Sequence, residues 1–212
     1  MSLPPNRTVM IEKRTSADYV RSAWSGGATT QLAIFPPDAR YADRDFLWRV
    51  SSASVELEAS DFTPLPDYDR LIATLRGEIV LTHNGGAPVT LKPFRVHAFS
   101  GGDATRSLGR CTDFNLMLRR GRAEGGMEAL FPDPEGVAFD PGRQGRALLY
   151  CAEGSCVAVL DEEQVRLQAG ESLLLSPPQR VVLRGDDGPA VVMACLMRVL
   201  EEEAHELNRK EP

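Results

Sequence analysis

The chain has 212 residues, with 24 lysines and arginines against 30 aspartates and glutamates and a net charge of −6. This charge argues against binding to the phosphate backbone of nucleic acids, and no stretch reaches the ~18 consecutive apolar residues of a membrane span. We therefore expect neither a nucleic-acid nor a membrane partner. Residues 1–13 contain no apolar core of signal-peptide length, so we expect a cytoplasmic protein. The length suits one large all-β domain or two small ones.

The N-terminal segment predicts a strand followed by a helix. Residues 8–13 alternate as a short strand does. Thr15 or Ser16 can cap a short helix over residues 17–24, because its side-chain oxygen can accept a hydrogen bond from a free backbone N–H.

A glycine-bearing loop follows this predicted helix. It reads Trp24-Ser25-Gly26-Gly27 and runs into a predicted strand over Thr30–Phe35. Such a loop brings the backbone close to another strand or to a ligand. Trp24 can stack on a planar ligand or pack over the core, and the sequence leaves both open.

From Phe46 onward nearly every segment alternates between apolar and polar residues. Turns rich in glycine, proline and aspartate separate these segments, which is typical of an all-β sandwich or barrel. The tail Leu200–Arg209 predicts a polar surface helix at the C-terminus. The strands are predicted at Phe46–Leu57, Leu71–Leu81, Val89–Leu91, Arg95–Phe99, Thr112–Arg119, Ala147–Tyr150, Cys156–Leu160, Val165–Leu167, Ser172–Leu175, Arg180–Arg184 and Val191–Met197.

The two halves of the chain share a pattern. LIATLRGEIVL aligns with LLYCAEGSCVAVL so that Gly77 falls on Gly154, and VTLKP then aligns with VRLQAG. Repeated strand, glycine turn and strand favour duplicated double-stranded jelly rolls, a bicupin. We therefore predict an N-terminal cupin-like barrel with the ligand site over residues 1–125. A C-terminal barrel with the terminal helix occupies residues 126–212, and the two barrels pack as one unit.

Two predicted strands carry polar side chains at alternating positions. Arg49 and Ser51 share one face of the first, and Asp113, Asn115 and Met117 share one face of the last. These rows can face water, or Arg49 can pair with Asp113 inside the barrel. They can also form a ligand site, because arginine binds carboxylates in bidentate fashion and asparagine offers both a donor and an acceptor. The ligand in that case is a small carboxylate.

Arg70 precedes another strand in the segment Asp67-Tyr68-Asp69-Arg70. It can form a second clamp for the carboxylate, or it can pair with Asp67 or Asp69 to hold the turn. Asp113 offers a further alternative, since a suitably shifted carboxyl can act as general acid or base. The chain would then be a metal-independent enzyme acting on a small carboxylic acid.

The sequence predicts no metal and no cofactor. It has three histidines, His83, His97 and His205, without an H-x-H pair, so we expect them to lie apart. The four cysteines fall in strand-like runs without C-x-x-C spacing, which predicts buried reduced thiols, with a metal or redox role as the alternative. They are Cys111, Cys151, Cys156 and Cys195.

The motifs WRVSSASV, DFTPLPDYDRLIATLRGE, LKPF followed by FSGG, and DFNLMLRR together resemble the HutD/Ves family. The resemblance is strongest from Trp24 to Arg120. It implies a metal-free bicupin without established enzymatic activity, which binds an intermediate of histidine utilisation and moderates flux. Urocanate and N-formylglutamate are the implied ligands. One departure is that Gln31 stands where the family carries a glutamate, and the related Ves branch is linked with stress instead.

The sequence thus predicts a protein that senses or sequesters a small carboxylate metabolite. Its predicted ligand-binding residues are Arg49, Ser51, Arg70, Asp113, Asn115, Trp24 and Met117. The apolar strand Val191–Met197 can lie in a homodimer interface or in the core, and the sequence does not choose between them.

Overall fold

The computed structural model describes residues 10–161 and 163–200, and this part of the chain is all-β. The strands are β1 (Met10–Arg14), β2 (Val20–Trp24), β3 (Gly27–Phe35), β4 (Trp48–Val55), β5 (Ala59–Asp61), β6 (Tyr68–Arg76), β7 (Ile79–His83), β8 (Val89–Leu91), β9 (His97–Ser100), β10 (Thr105–Leu108), β11 (Cys111–Arg119), β12 (Ala123–Leu130), β13 (Val137–Phe139), β14 (Arg146–Glu153), β15 (Ser155–Val159), β16 (Gln164–Gln168), β17 (Ser172–Ser176), β18 (Val181–Gly185) and β19 (Val191–Val199). A short 3₁₀ turn covers Tyr41–Asp43.

One compact unit contains residues 17–129, together with residues 197–200. Its two sheets have the strand orders β2-β3-β4-β11-β6-β9 and β5-β10-β7-β8. The central strand β11 pairs antiparallel with both β4 and β6, which places Met117 opposite Arg49 on one side and Arg70 on the other. Asn115 lies opposite Ser51 in the same ladder. This register brings three strands' polar residues to one sheet face.

Two apolar clusters stabilise this unit. The first contains Phe46, Leu65, Tyr68 and Met117, and the second contains Ile72, Ile79, Leu81 and Leu91. Along β6, Arg70 falls between Tyr68 of the first cluster and Ile72 of the second. The polar row therefore lies between two apolar clusters, where side chains are held by packing.

The other compact unit contains residues 10–16 and 130–196 of the described chain. Its strands follow the orders β1-β17-β14-β19 and β13-β18-β15-β16 around a core of buried aliphatic side chains. Residues 10–16 lie with the C-terminal half because β1 pairs antiparallel with β17, whereas the sequence-based division assigned them to the N-terminal barrel.

The predicted N-terminal helix over residues 17–24 is wrong. This segment instead contains β2, which pairs with β3 so that Trp24 lies opposite Gly27 across the turn Ser25-Gly26. All five residues of β2 are exposed, so a helix here would have had no apolar face to bury. Hydrogen bonding to β3 satisfies the backbone groups of this exposed segment instead.

The predicted strand Leu71–Leu81 is divided into β6 and β7 at Gly77. This glycine has a φ of +78°, and a Cβ there would meet the carbonyl oxygen of Arg110. Gly154 has a φ of +70° at the turn between β14 and β15. Glycine is favoured at both positions because a left-handed backbone costs other residues free energy.

The strand β19 belongs to the core. Val192 and Ala194 are buried in the cluster of the second unit, which answers the alternative left open by the sequence. Cys151, Cys156 and Cys195 are buried free thiols as predicted, and Cys111 is half-buried. The predicted C-terminal helix lies almost wholly outside the described residues. No helix in the described ranges is long and apolar enough to cross a membrane.

Candidate functional site

Six of the seven sequence-predicted site residues come together on one face of the six-stranded sheet. Residues two apart in a strand share a face, so the pairing of the strands sets which side chains meet. β4 contributes Arg49 and Ser51, β6 contributes Arg70, and β11 contributes Asp113, Asn115 and Met117. All six are buried, with Arg49 and Arg70 only 5% and 7% exposed. Because charged side chains are seldom buried without a role or a partner, this face is the candidate site.

The guanidinium of Arg49 is fixed by two hydrogen bonds and an aromatic ring. Its Nε donates to Oε1 of Gln31 at 2.8 Å, and its Nη1 donates to Oγ of Ser51 at 2.9 Å. Its central carbon lies 4.4 Å from the ring centroid of Tyr41. Burial lowers the pKa of Arg49 to about 10, which leaves it charged at neutral pH. The site thus holds a positioned cation.

Arg70 packs against two neighbouring aromatic rings, which also contact each other. Its guanidinium carbon lies 4.9 Å from the ring centroid of Phe62 and 5.1 Å from that of Phe99. Its buried Nε has no hydrogen-bond partner within the described part of the chain. Burial also lowers the pKa of Arg70. Of the two turn contacts considered from the sequence, the one with Asp69 is not formed, because Asp69 pairs with Arg120 at 2.7 Å instead. The described residues also contain no ion pair between Arg70 and Asp67.

Asp113 is a buried carboxyl near both arginines. Its Oδ1 accepts a hydrogen bond from the backbone N–H of Ala53 at 3.1 Å. Burial raises its pKa to about 6, against the opposing effects of Arg70, the Ala53 N–H and Arg49. The hydrogen bonds of Arg49 go to Gln31 and Ser51, so the expected alternative of a direct Arg49–Asp113 pair is not what the structure contains.

Other polar atoms of this unit are also buried without a hydrogen-bond partner among the described residues. On the face of the candidate site they are Oδ1 of Asn115 and Oγ1 of Thr74, in addition to Nε of Arg70. Nη1 of Arg44 and Nε1 of Trp48 are also buried without a partner in this part of the chain, and Trp48 points to the opposite face of β4 from Arg49. Thr74 and Asn115 are 0% and 3% exposed. A buried polar group without a partner costs about 1–3 kcal/mol, so such groups mark places where a polar ligand binds favourably.

The charge of the site selects the kind of ligand. Arg44 adds a third guanidinium, 4.0 Å from the Tyr41 ring centroid, and it acts on the pKa of both Arg49 and Arg70. Guanidinium groups have no lone pair to offer a metal ion. No group of three or more His, Cys, Asp or Glu side chains that could hold a metal is found in the described ranges. The donor set therefore suits an anion and does not suit a metal.

Two histidines that the sequence analysis expected to lie apart form a pair, so that expectation is wrong. Nε2 of His83 lies 2.9 Å from Nε2 of His97, and Nδ1 of His83 lies 2.8 Å from Oγ1 of Thr105. The chain separates the two by a hairpin and a loop, but the facing sheets bring β7 and β9 together. Both rings contact Phe99, the same ring that packs against Arg70.

Trp24 is not brought to this face. It lies on the edge strand β2, is 41% exposed, and its ring stands next to Gly26 and Leu57. Trp24 lies opposite Gly27 of β3, and Gly27 lies opposite Val55 of β4. Val55 is at the other end of β4 from Arg49.

Sequence reasoning also missed residues that complete the site. The alternation within the strands places Thr74 and Phe99 on the same face as Arg70, but their relation to Arg49 depends on strand order. In the sequence, the feature that drew attention to Gln31, the hydrogen-bond partner of Arg49, was its difference from the glutamate that the family resemblance implies. The residues missed are Gln31, Tyr41, Arg44, Phe62, Thr74, His83, His97 and Phe99.

Comparisons with known proteins agree with this fold. A conserved protein of unknown function from Pseudomonas aeruginosa PAO1 has a TM-score of 0.79 and 24% identity, covering 89% of this chain and 99% of that one. HutD from Pseudomonas fluorescens SBW25 has a TM-score of 0.71 and 22% identity, covering 89% and 100%. A nickel(II)-bound bacterial pirin from Escherichia coli has a TM-score of 0.64 and 11% identity, covering 90% and 100%.

The structural likenesses support an all-β, cupin-like fold. A search of the curated proteins found no match. The HutD family model matches residues 16–193, which is most of the chain. The chain therefore belongs to the HutD family.

Proposed function

We propose that this chain is a non-enzymatic protein that binds a small carboxylate and senses or sequesters it, moderating histidine catabolism. Membership of the HutD family supports the link with histidine utilisation. The site residues support the class of ligand, because two buried guanidiniums attract a carboxylate and can bind it with paired N–H donors.

The observation that carries this proposal is the state of Arg70. Its guanidinium is buried against Phe62 and Phe99, and its Nε has no partner among the described residues. Desolvating a cation in this way is costly unless a counter-charge arrives. Asp113 offsets only part of the charge, because its single carboxyl lies near two buried guanidiniums, those of Arg70 and Arg49. A carboxylate ligand would supply both the charge and the acceptor.

Urocanate and N-formylglutamate are the candidate ligands. Each has a carboxylate for Arg49 and Arg70, and each also has an N–H donor. That donor suits Oδ1 of Asn115, an acceptor without a partner in the described part of the chain. Met117 and the aromatic rings beside Arg70 would pack against the apolar part of the ligand.

We also infer that the two compact units are duplicated cupin barrels. The strand order β9-β6-β11 in one unit corresponds to β17-β14-β19 in the other, and β5-β10-β7-β8 corresponds to β13-β18-β15-β16. The glycines that divide the paired strands, Gly77 and Gly154, have similar positive φ angles. Both correspondences follow the repeat in the sequence.

Thermal unfolding in the presence of carboxylates tests the binding proposal. A ligand at about a hundred times its dissociation constant stabilises the protein by about 2.7 kcal/mol, which raises the midpoint by a few degrees. We expect the shift with urocanate or N-formylglutamate and expect it to vanish in Arg49→Ala and Arg70→Ala. Arg106→Ala is the matched control, since Arg106 is an exposed arginine of the same unit. Absence of a shift with every acid would overturn the proposal.

Asp113 favours a second candidate function, a metal-independent enzyme acting on a similar acid. A carboxyl with a pKa near 6 can give and take a proton near neutral pH. Turnover of N-formylglutamate or urocanate that is lost in Asp113→Asn, while binding is retained, would establish the enzyme. Binding without turnover would leave the sensing role.

A further inference from the structure

The contacts of His83 and Thr105 are satisfied together by one assignment of the ring protons, which we adopt. The Thr105 hydroxyl donates to the backbone oxygen of Asp103 at 3.3 Å, and in this arrangement it accepts a hydrogen bond from Nδ1 of His83 at 2.8 Å. Nε2 of His83 then accepts from the N–H at Nε2 of His97, at 2.9 Å. This assignment follows from the hydrogen-bond network, since each ring nitrogen of a neutral histidine either donates or accepts.

The pair can take up one proton without losing a hydrogen bond. In the neutral pair, Nδ1 of His97 is the ring nitrogen left without a proton. A proton added there leaves the contacts of His97 with His83 and of His83 with Thr105 intact. A further proton on Nε2 of His83 would face the N–H of His97 and break the bond between the rings. The geometry therefore predicts uptake of one proton and not two.

Phe99 connects this pair to the carboxylate site. Its ring centroid lies 4.8 Å from that of His83 and 6.0 Å from that of His97. Arg70 lies directly opposite Phe99 in the pairing of β6 with β9. His97, two residues before Phe99, is therefore a diagonal neighbour of Arg70 on the same sheet face, with Cβ atoms about 7–8 Å apart. A charge on the pair acts on an anion bound at Arg70.

His83 is the titratable group that acts on the pKa of His97. Burial lowers the pKa of His97 first, and His83 lowers it further. The carboxylate of Asp103 accepts a hydrogen bond from Asn84, and that of Asp69 is paired with Arg120. The charged side chains of β6, β9 and their adjoining loops are Asp67, Asp69, Arg70, Arg76, Glu78, Lys92, Arg95 and Asp103. On β10, which pairs with β7, the charged residue is Arg106, and it forms an ion pair with Asp61.

We propose that the Thr105–His83–His97 chain is a proton-linked part of the carboxylate site, and that binding of a carboxylate at Arg49 and Arg70 is coupled to uptake of one proton at Nδ1 of His97. This inference rests on the proposed function. The bound anion offsets the positive charge of Arg70 and so favours a cation beside it. By linkage, the affinity for the carboxylate rises as the pH falls, roughly threefold to tenfold for one charge at this separation.

Isothermal titration of N-formylglutamate across about pH 8.5 to pH 5.5 tests this coupling. Its carboxyl groups titrate near pH 4, below this range, so they do not contribute. The wild type is compared with His97→Gln, whose side-chain amide can still donate to His83 but cannot titrate. We expect the wild type to take up more protons per ligand, by up to one, and to gain about three- to tenfold more affinity than His97→Gln.

Asp113 titrates in the same range, so the comparison is repeated in Asp113→Asn and in Asp113→Asn combined with His97→Gln. Imidazole ¹⁵N spectra of the wild type provide a direct readout, with Nδ1 of His97 expected to gain a proton when N-formylglutamate is added. Binding with equal pH dependence in the wild type and His97→Gln would overturn the coupling and leave the proposed function standing. If neither N-formylglutamate nor urocanate bound at any pH in this range, both the coupling and the proposed function would be overturned.

Discussion

Gln31 and Arg49 form a 2.8 Å hydrogen bond between Oε1 and Nε, so the acceptor that fixes this guanidinium is a neutral amide. The resemblance found in the sequence implies a glutamate at the position that Gln31 occupies in this chain. A glutamate would bring a negative charge to Arg49 and compete with an incoming carboxylate. With Gln31, the guanidinium is positioned and its charge remains available to a ligand.

Gln31→Glu is therefore expected to weaken carboxylate binding by about tenfold or more, because the new carboxylate offsets the charge of Arg49. The variant should also keep the fold, since its hydrogen-bond geometry is the same. Titration calorimetry with N-formylglutamate measures the affinity. Gln168→Glu, on β16 in the other compact unit, adds the same charge away from the site and should leave the affinity unchanged. Equal effects in the two variants would contradict the assignment of Arg49.

The raised pKa of Asp113 makes the free energy of unfolding depend on pH. Its folded pKa of about 6 lies above the ordinary value of 3.8. Between these values the folded state holds a proton that the unfolded state has released, so stability falls as the pH rises from about 4 to about 6. The change amounts to roughly 3 kcal/mol. In Asp113→Asn this contribution should disappear, as measured by urea unfolding at each pH. Asp61→Asn, at an exposed carboxylate, should keep the wild-type profile.

Arg70→Met is expected to separate stability from binding. Methionine can pack against Phe62 and Phe99 without a buried charge, so the ligand-free protein should lose little stability. The thermal shift caused by carboxylates should vanish. Because Arg70 is the largest influence lowering the pKa of Asp113, the pH range over which stability falls should extend above 6. An unchanged pH range would contradict the proximity of Arg70 and Asp113. Arg106→Met, at an exposed arginine, is the control and should leave the pH range unchanged.

Gly77→Ala tests the turn that separates β6 from β7. The alanine would have to adopt a φ of +78° and would meet the carbonyl oxygen of Arg110. Gly85→Ala has a similar φ of +70° but no atom within 4 Å of the added methyl group, so it measures the backbone strain alone. We expect about 1 kcal/mol for Gly85→Ala and at least 2 kcal/mol for Gly77→Ala in chemical denaturation. Equal losses would argue against the close approach of Arg110.

Much of the site could be predicted because strands alternate. Arg49 and Ser51 were placed on one face, and so were Asp113, Asn115 and Met117, from a period of two that needs no knowledge of the partner strands. The same reasoning identified most strands, although it joined β6 and β7 into one strand across Gly77. The glycine turn at this position was indicated by the repeat between the two halves of the chain. It failed for residues 17–24, where a short segment without an apolar face gave no reliable period and pairing with β3 decided the conformation.

Only the tertiary structure decided which side chains meet. Gln31 reaches Arg49, and His83 reaches His97, through strands that are distant in the chain or lie in different sheets. An alternating strand is compatible with many neighbours and registers, so its sequence specifies a face but not what lies opposite. The sequence by itself determined an all-β chain with polar rows, and long-range pairing decided that these rows form one buried, positively charged site.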